Sequence, residues 1–282
     1  MNESKARLVC TWGTHLDAMV ALDRCLSVLS RAHVPVLVVK GAVLAHSLYA
    51  DFAERPITDV DLRVRPLDFL TCFRALRAEG LRPHWASKQL GAVGFVMGRV
   101  PFDIEATIGP PGLCAIGVSE MMSRSRERQL PEGPVVREPE LHDHAVLLVV
   151  NAFKDKLGPL CPPWAIEDLA TIGSRVHVPT FIARIGAAKL HTVAWVVAEW
   201  MATRRGSLAW SAIRDALGAP PRRRYARAVL DGMGANPGGL ALRLRARIGS
   251  DSAWRRIWAL GATAVGTGVS GVGALQSERR DG

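Results

Sequence analysis

The chain has 282 residues, 49% hydrophobic and 22% charged, a composition that excludes a mainly disordered protein and leaves room for one large domain or two small ones. Its formal charge is +10, but from Thr203 onward 14 Arg stand against 5 acidic residues, a net of +9, so the preceding residues are close to neutral. Arg outnumbers Lys along the whole chain, so the basic end reads as a solvated helical surface; nucleic acid as a partner is allowed by the charge and not favoured.

In chain order, Leu16, Met19, Val20, Leu26 and Leu29 recur at helical spacing and predict a helix over 14–31. The β-branched run 34–39 then predicts a buried strand entered through Pro35. Lys40-Gly41 ends it, and 42–49 reads as a helix. Residues 51–56 form a loop, and 58–65 alternate polar and apolar as a strand does. Helical spacing returns over 67–79 and stops at Gly80, a common C-terminal capping residue. Two further strands are predicted over 94–97 and 100–107. After Gly109-Pro110-Pro111-Gly112 almost everything reads as helix broken by Pro and Gly: 138–154, 164–172, 181–201 and 222–233.

The fold class expected is therefore α+β: a small mixed sheet with flanking helices, followed by an α-helical half. The expected divisions are an N-terminal helix (1–33), an α+β core (34–112), a helical domain (113–250) and a small-residue-rich tail (251–282). The apolar tract 258–275 is built from Gly, Ala, Val, Thr and Ser and reads as a packing helix or tail. The apolar stretch 181–202 is interrupted by Arg184, Lys189, His191 and Glu199. Charges at bilayer depth are costly, so no membrane span is expected. Five cysteines without a CxxC pair argue against a disulfide framework or zinc knuckle. The first twenty residues carry no signal-peptide-like apolar run, and a cytoplasmic location is expected.

Three pieces carry chemistry. Lys40-Gly41-Ala42 at a strand end lets backbone N–H groups approach an anion closely. In Arg55-Pro56-Ile57-Thr58-Asp59-Val60-Asp61-Leu62, two carboxylates at i and i+2 on a strand share one face. Their mutual repulsion is relieved by a bridging cation, and hard oxygen ligands favour Mg²⁺, with Mn²⁺ as the alternative. In Phe102-Asp103-Ile104-Glu105 two acids again share a face, unless nearby arginines such as Arg99 pair with them. A third carboxylate beside the first pair is what a two-metal site needs. His142 and His144 flank Asp143; without a third ligand nearby they read as a polar helix start.

In this order the pieces resemble an uncharacterised bacterial nucleotidyltransferase family of the polymerase-β-like superfamily. Lys40-Gly41 matches its KG turn, Arg55, Asp59 and Asp61 its R…DxD block, and Asp103 the Asp of its later strand; Glu105 stands where the family usually has His. The stretches 141–154 and 164–169 are similar to its two helical motifs. The resemblance covers roughly 34–172. It implies Mg²⁺-dependent transfer of a nucleoside monophosphate from a nucleoside triphosphate, with ATP favoured, to an acceptor that is a small molecule, peptide or protein. It implies Asp59, Asp61 and Asp103 as metal and catalytic carboxylates, and Lys40 and Gly41 on the triphosphate. Arg55 would position phosphate or brace the Asp pair, and Lys154 would supply the helical half's basic residue. Asp155 and Asp168 read as ion-pair or capping residues. The alternatives are a non-catalytic nucleotide- or partner-binding relative, and a peptide-modifying enzyme of a natural-product pathway.

Overall fold

A computed structural model describes residues 3–87, 91–156, 162–232 and 248–257. The fold is α+β. Helix α1 (Glu3–Arg31) leads into strand β1 (Val36–Val39), helix α2 (Gly41–Ser47) and strand β2 (Val60–Val64). Helix α3 (Phe69–Ala78) follows, then the meander β3 (Pro83–Ser87), β4 (Ala92–Met97) and β5 (Val100–Glu105). The five strands form one mixed sheet in the order β1-β2-β5-β4-β3. Only β2 and β5, the two acid-bearing strands, run parallel; the other neighbours are antiparallel.

The two faces of this sheet differ because side chains alternate along each strand. Val60, Leu62, Val64, Phe102 and Ile104 point into a core shared with Leu22 and Leu29 of α1 and Leu76 of α3. Leu62 and Ile104 are wholly buried there, and truncating either to Ala costs about 2–5 kcal/mol. The opposite face carries Leu37 and Val39, which join a second core built by the helical half. Beside them on that face lie Asp61 and Arg63 of β2, in register with Asp103 and Glu105 of β5. All five residues of β2 are buried, the polar ones included.

The second half contains helices α4 (Val118–Ser123), α5 (Leu141–Asn151), α6 (Pro163–Arg175), α7 (Val178–Ala188), α8 (His191–Arg205), α9 (Leu208–Leu217) and α10 (Arg223–Gly232). It departs from the sequence expectation in two places. A two-stranded hairpin, β6 (Arg126–Gln129) and β7 (Val135–Glu138), interrupts what read as helix. The predicted helix over 181–201 is two helices, because Lys189 turns left-handed (φ 57°) between α7 and α8. The edge strand β3 and helix α9 also lay outside the prediction.

Part of the stretch expected as a tail is stitched to the helical half. Asp251 accepts the backbone N–H and hydroxyl of Thr192 at the start of α8 (3.0 and 2.5 Å), and Arg255 donates to the Cys114 carbonyl (2.8 Å). Among the described residues no helix is long and apolar enough to cross a membrane; the apolar tract 258–275 lies outside them.

Candidate functional site

The parallel pairing of β2 with β5 sets Asp61 directly beside Asp103. Asp59 stands just before β2, on the same side by the two-residue repeat. Carboxylate oxygens of Asp59, Asp61 and Asp103 all lie within 4.8 Å of one another. Three hard oxygen donors at this spacing fit a divalent cation such as Mg²⁺. Asp59 is steadied by the Thr58 hydroxyl (2.9 Å). Burial and the neighbouring charges of Asp61, Asp59 and Glu105 push the Asp103 carboxyl above its ordinary range, with Lys40 acting against them.

Glu105, the other acid of the β5 pair, faces a different partner. It forms an ion pair with an arginine, the alternative the sequence left open, but the partner is Arg63 across the same β2–β5 register (3.0 Å) and not Arg99. Asp103 therefore stands without a cationic ion-pair partner among the described residues, while Glu105 has one.

The Lys40-Gly41 turn approaches the acids from the end of β1. Lys40 Nζ lies 2.5 Å from Asp61 Oδ1. The Lys40 backbone sits at φ 55°, ψ −133°, which a residue with a Cβ rarely adopts. Gly41 follows where space is tight: a Cβ there would lie 3.3 Å from Arg55 Nη1, and the guanidinium would have to shift slightly. The Gly41 position is thus filled on one side by a guanidinium.

Arg55 is bound on every side. Its Nε and Nη2 bind both oxygens of Asp168 (3.0–3.1 Å), and Nη1 donates to the Pro56 carbonyl. Tyr49 donates to the same Asp168 (2.7 Å), and burial with the adjacent carboxylate pushes the Tyr49 hydroxyl far above its usual range. The Arg55 guanidinium also lies 5.8 Å from the centre of the Trp164 ring. These contacts fasten the loop that carries Asp59 to α6.

A cleft opens between the sheet and α5 and α6. Lys40, Arg55, Asp59 and Asp61 line one side, and Asn151, Trp164, Leu148 and Leu169 the other. Lys154 sits on the π-helical turn Ala152–Lys156 that extends α5 and does not line this cleft. Trp164 and Asp168 lie inside the stretch 164–169 and Asn151 inside 141–154, the two helical motifs of the sequence, and Tyr49 ends the predicted helix 42–49; sequence reasoning assigned Tyr49, Asn151 and Trp164 no role in the site.

The histidines near the start of α5 take separate tasks. Nε2 of the buried His144 accepts the Lys40 backbone N–H (3.0 Å). Burial, with the Lys40 charge adding to it, pushes His144 down to about 3, so the ring is neutral at physiological pH. His142 bonds Glu140 (2.6 Å) and accepts the His177 N–H (3.1 Å), and Asp143 is held by Arg124 and Arg184. Among the described residues these three side chains do not gather with others into a metal-ligand cluster.

Comparison with known proteins gives three results. No curated protein matches. A solved structure, the solution structure of the antibiotic-resistance factor ANT(2'')-Ia, is 15% identical at a TM-score of 0.40, covering 75% of this chain and 95% of that one. The family described as an uncharacterised nucleotidyltransferase matches residues 13–200, which include the Lys40-Gly41 turn, all three clustered carboxylates and helices α5 and α6. The chain belongs to that uncharacterised nucleotidyltransferase family.

Proposed function

We propose that the protein is a polymerase-β-like nucleotidyltransferase that moves a nucleoside monophosphate from a nucleoside triphosphate, with ATP favoured, to an acceptor hydroxyl. The observation that carries this reading is the Asp59–Asp61–Asp103 cluster, three carboxylates within 4.8 Å, two on adjacent parallel strands and Asp59 just before one of them. Asp59, Asp61 and Asp103 would hold Mg²⁺ or Mn²⁺. When bound, the cations neutralise the attacking and leaving oxygens of an in-line displacement.

The chain's own residues supply the rest. Asp103, set beside Asp61 by the β2–β5 register, would take the acceptor proton as the new oxygen–Pα bond forms and pyrophosphate departs. Lys40, which neutralises Asp61 in the nucleotide-free protein, is within reach of the triphosphate on the same side of the cleft. Gly41 keeps the turn close, and Arg55 braces the Asp59 loop through Asp168. The division into a core (34–112) and a helical domain (113–250) gives the cleft its two walls in this reading; Lys154 would meet the triphosphate only by reaching in from outside the lining.

The test is which phosphorus moves. The protein is incubated with Mg²⁺ and ATP labelled separately at the α and γ positions, with a cell extract as acceptor pool. Nucleotidyl transfer carries the α label and releases pyrophosphate, and Asp61→Asn loses the signal. Transfer of the γ label alone would overturn the reaction class.

A further inference from the structure

We propose that His144 is the positioning residue of the site: through one hydrogen bond from the helical half it holds the Lys40 backbone in the conformation that aims the Lys40 ammonium at the carboxylates and the triphosphate. This deepens the nucleotidyl-transfer reading and rests on it.

The argument starts from the strain at Lys40. A side-chain-bearing residue at φ 55°, ψ −133° is held above an ordinary conformation, and such strain persists only where the surroundings over-determine it. Chain neighbours alone do not supply that. The Lys40 carbonyl starts α2 by accepting the N–H groups of Val43 and Leu44 (3.0 and 2.7 Å). The Lys40 N–H points the other way and finds its acceptor 104 residues later, at His144 Nε2 (3.0 Å). Beyond the turn, the Lys40 side chain reaches Asp61 (2.5 Å). One backbone unit is thus fixed at its N–H, its carbonyl and its ammonium.

The acceptor is itself rigidly mounted. His144 is 4% exposed in the first turns of α5. The turn is anchored by Glu140, which accepts the His142 N–H (3.0 Å), and by Asp143, bound by Arg124 through two nitrogens (2.7 and 2.9 Å) and by Arg184 (3.1 Å). Because Nε2 receives an N–H, the ring proton belongs on Nδ1. The arrangement ties the anion-facing turn of the sheet half to the helical half without placing the imidazole in the cleft lining.

The test uses the full-length chain with His144→Leu, His144→Gln, Lys40→Met and the double variant His144→Leu with Lys40→Met. Two quantities are read: amide hydrogen exchange across 36–48 without nucleotide, and MgATP affinity by calorimetry. In His144→Leu, exchange at the Lys40 amide should rise and MgATP affinity fall, each about tenfold, the scale of one net hydrogen bond. His144→Gln, whose side-chain carbonyl can accept the same N–H, should restore most of both. In the Lys40→Met background, His144→Leu should leave MgATP affinity unchanged, because the imidazole acts only through Lys40. A further loss in that background would overturn the proposal and make His144 a general packing residue. Unchanged exchange in His144→Leu would overturn it as well. Raised exchange with unaltered MgATP affinity would refute the positioning role while leaving nucleotide binding intact. Absence of MgATP binding by the wild-type chain would overturn both the proposal and the reading beneath it.

Discussion

Two sets of acids lie in this protein, and they are treated oppositely. In and against the helical half, each buried carboxylate among the described residues is matched by arginine. Glu138 binds Arg126 and Arg128, Asp143 binds Arg124 and Arg184, and Asp168 binds Arg55 with Tyr49 added. On the sheet, of Asp59, Asp61 and Asp103 only Asp61 has a cationic ion-pair partner among the described residues, Lys40. Within one strand the contrast is sharpest: Glu105 has Arg63, while Asp103, two residues earlier, has no cationic ion-pair partner among the described residues. An acid whose charge the fold compensates holds structure together. A cluster left negative is a candidate cation site, since like charges crowded in a half-buried space repel and either a cation or a proton relieves them.

The contrast can be broken from either side. The largest stability effect is expected at a compensated acid. Asp168→Ala leaves the buried Arg55 guanidinium without its partner and should lower unfolding free energy by about 3–5 kcal/mol in urea titrations. Asp103→Asn should do the reverse for stability and the worst for activity. It removes repulsion, so the metal-free protein should melt no lower than wild type, while transfer falls about 10²–10⁴-fold. A large drop in melting temperature for Asp103→Asn would place it among the structural acids.

A smaller effect is set by pH and separates the site from its support. His15 and His46 pack against each other (4.8 Å between ring centres) and around Phe52, with His15 Nδ1 and His46 Nε2 buried and unpartnered. Burial pushes His15 down, and burial followed by the charges of His15 and Arg128 pushes His46 to about 4. The folded state therefore binds fewer protons than the unfolded chain. The stability these rings confer is fully present above the ordinary pKa near 6.5 and is lost as pH falls through that value toward about 4. For His46 the loss is about 2–3 kcal/mol after allowing for its partial solvent access. Asp103 acts in the opposite sense, because its raised carboxyl favours protonation in the folded state. Urea midpoints at pH 7 and pH 4.5 should differ markedly in wild type and less in His46→Leu. Cation stabilisation is of similar size: Mg²⁺ at about 100 times its wild-type Kd should add roughly 2.7 kcal/mol to wild type and, for a Kd at least tenfold weaker, about 1.4 kcal/mol or less to Asp103→Asn.

The sheet and its acids were legible in the sequence because their signals are local. β-branched runs mark β1, and alternation over Val60-Asp61-Leu62 and Phe102-Asp103-Ile104 marks β2 and β5 together with their polar face. What remained hidden is non-local or carries no apolar pattern. Strand β6 reads Arg-Glu-Arg-Gln and is joined to β7 by cross-strand ion pairs, so hydrophobic periodicity says nothing about it. Edge strand β3 is largely exposed. The break between α7 and α8 falls at Lys189 in a conformation that usually marks glycine, and no glycine stands there. In the site, the acids could be named, but not which were compensated: Asp168 finds Arg55 across 113 residues and His144 finds Lys40 across 104. Glu105 and Asp103 look alike in sequence and differ only through the β2 register.

The most direct measurement is Mn²⁺ binding in the presence of ATP, titrated calorimetrically for wild type, Asp103→Asn and Glu105→Gln. The two variants neutralise acids two residues apart on one strand, one uncompensated and one paired with Arg63. Wild type and Glu105→Gln should bind Mn²⁺ with similar affinity, and Asp103→Asn should bind it at least about tenfold more weakly. Equal losses in both variants, or undiminished binding in Asp103→Asn, would contradict the assignment of the uncompensated acids as the metal site.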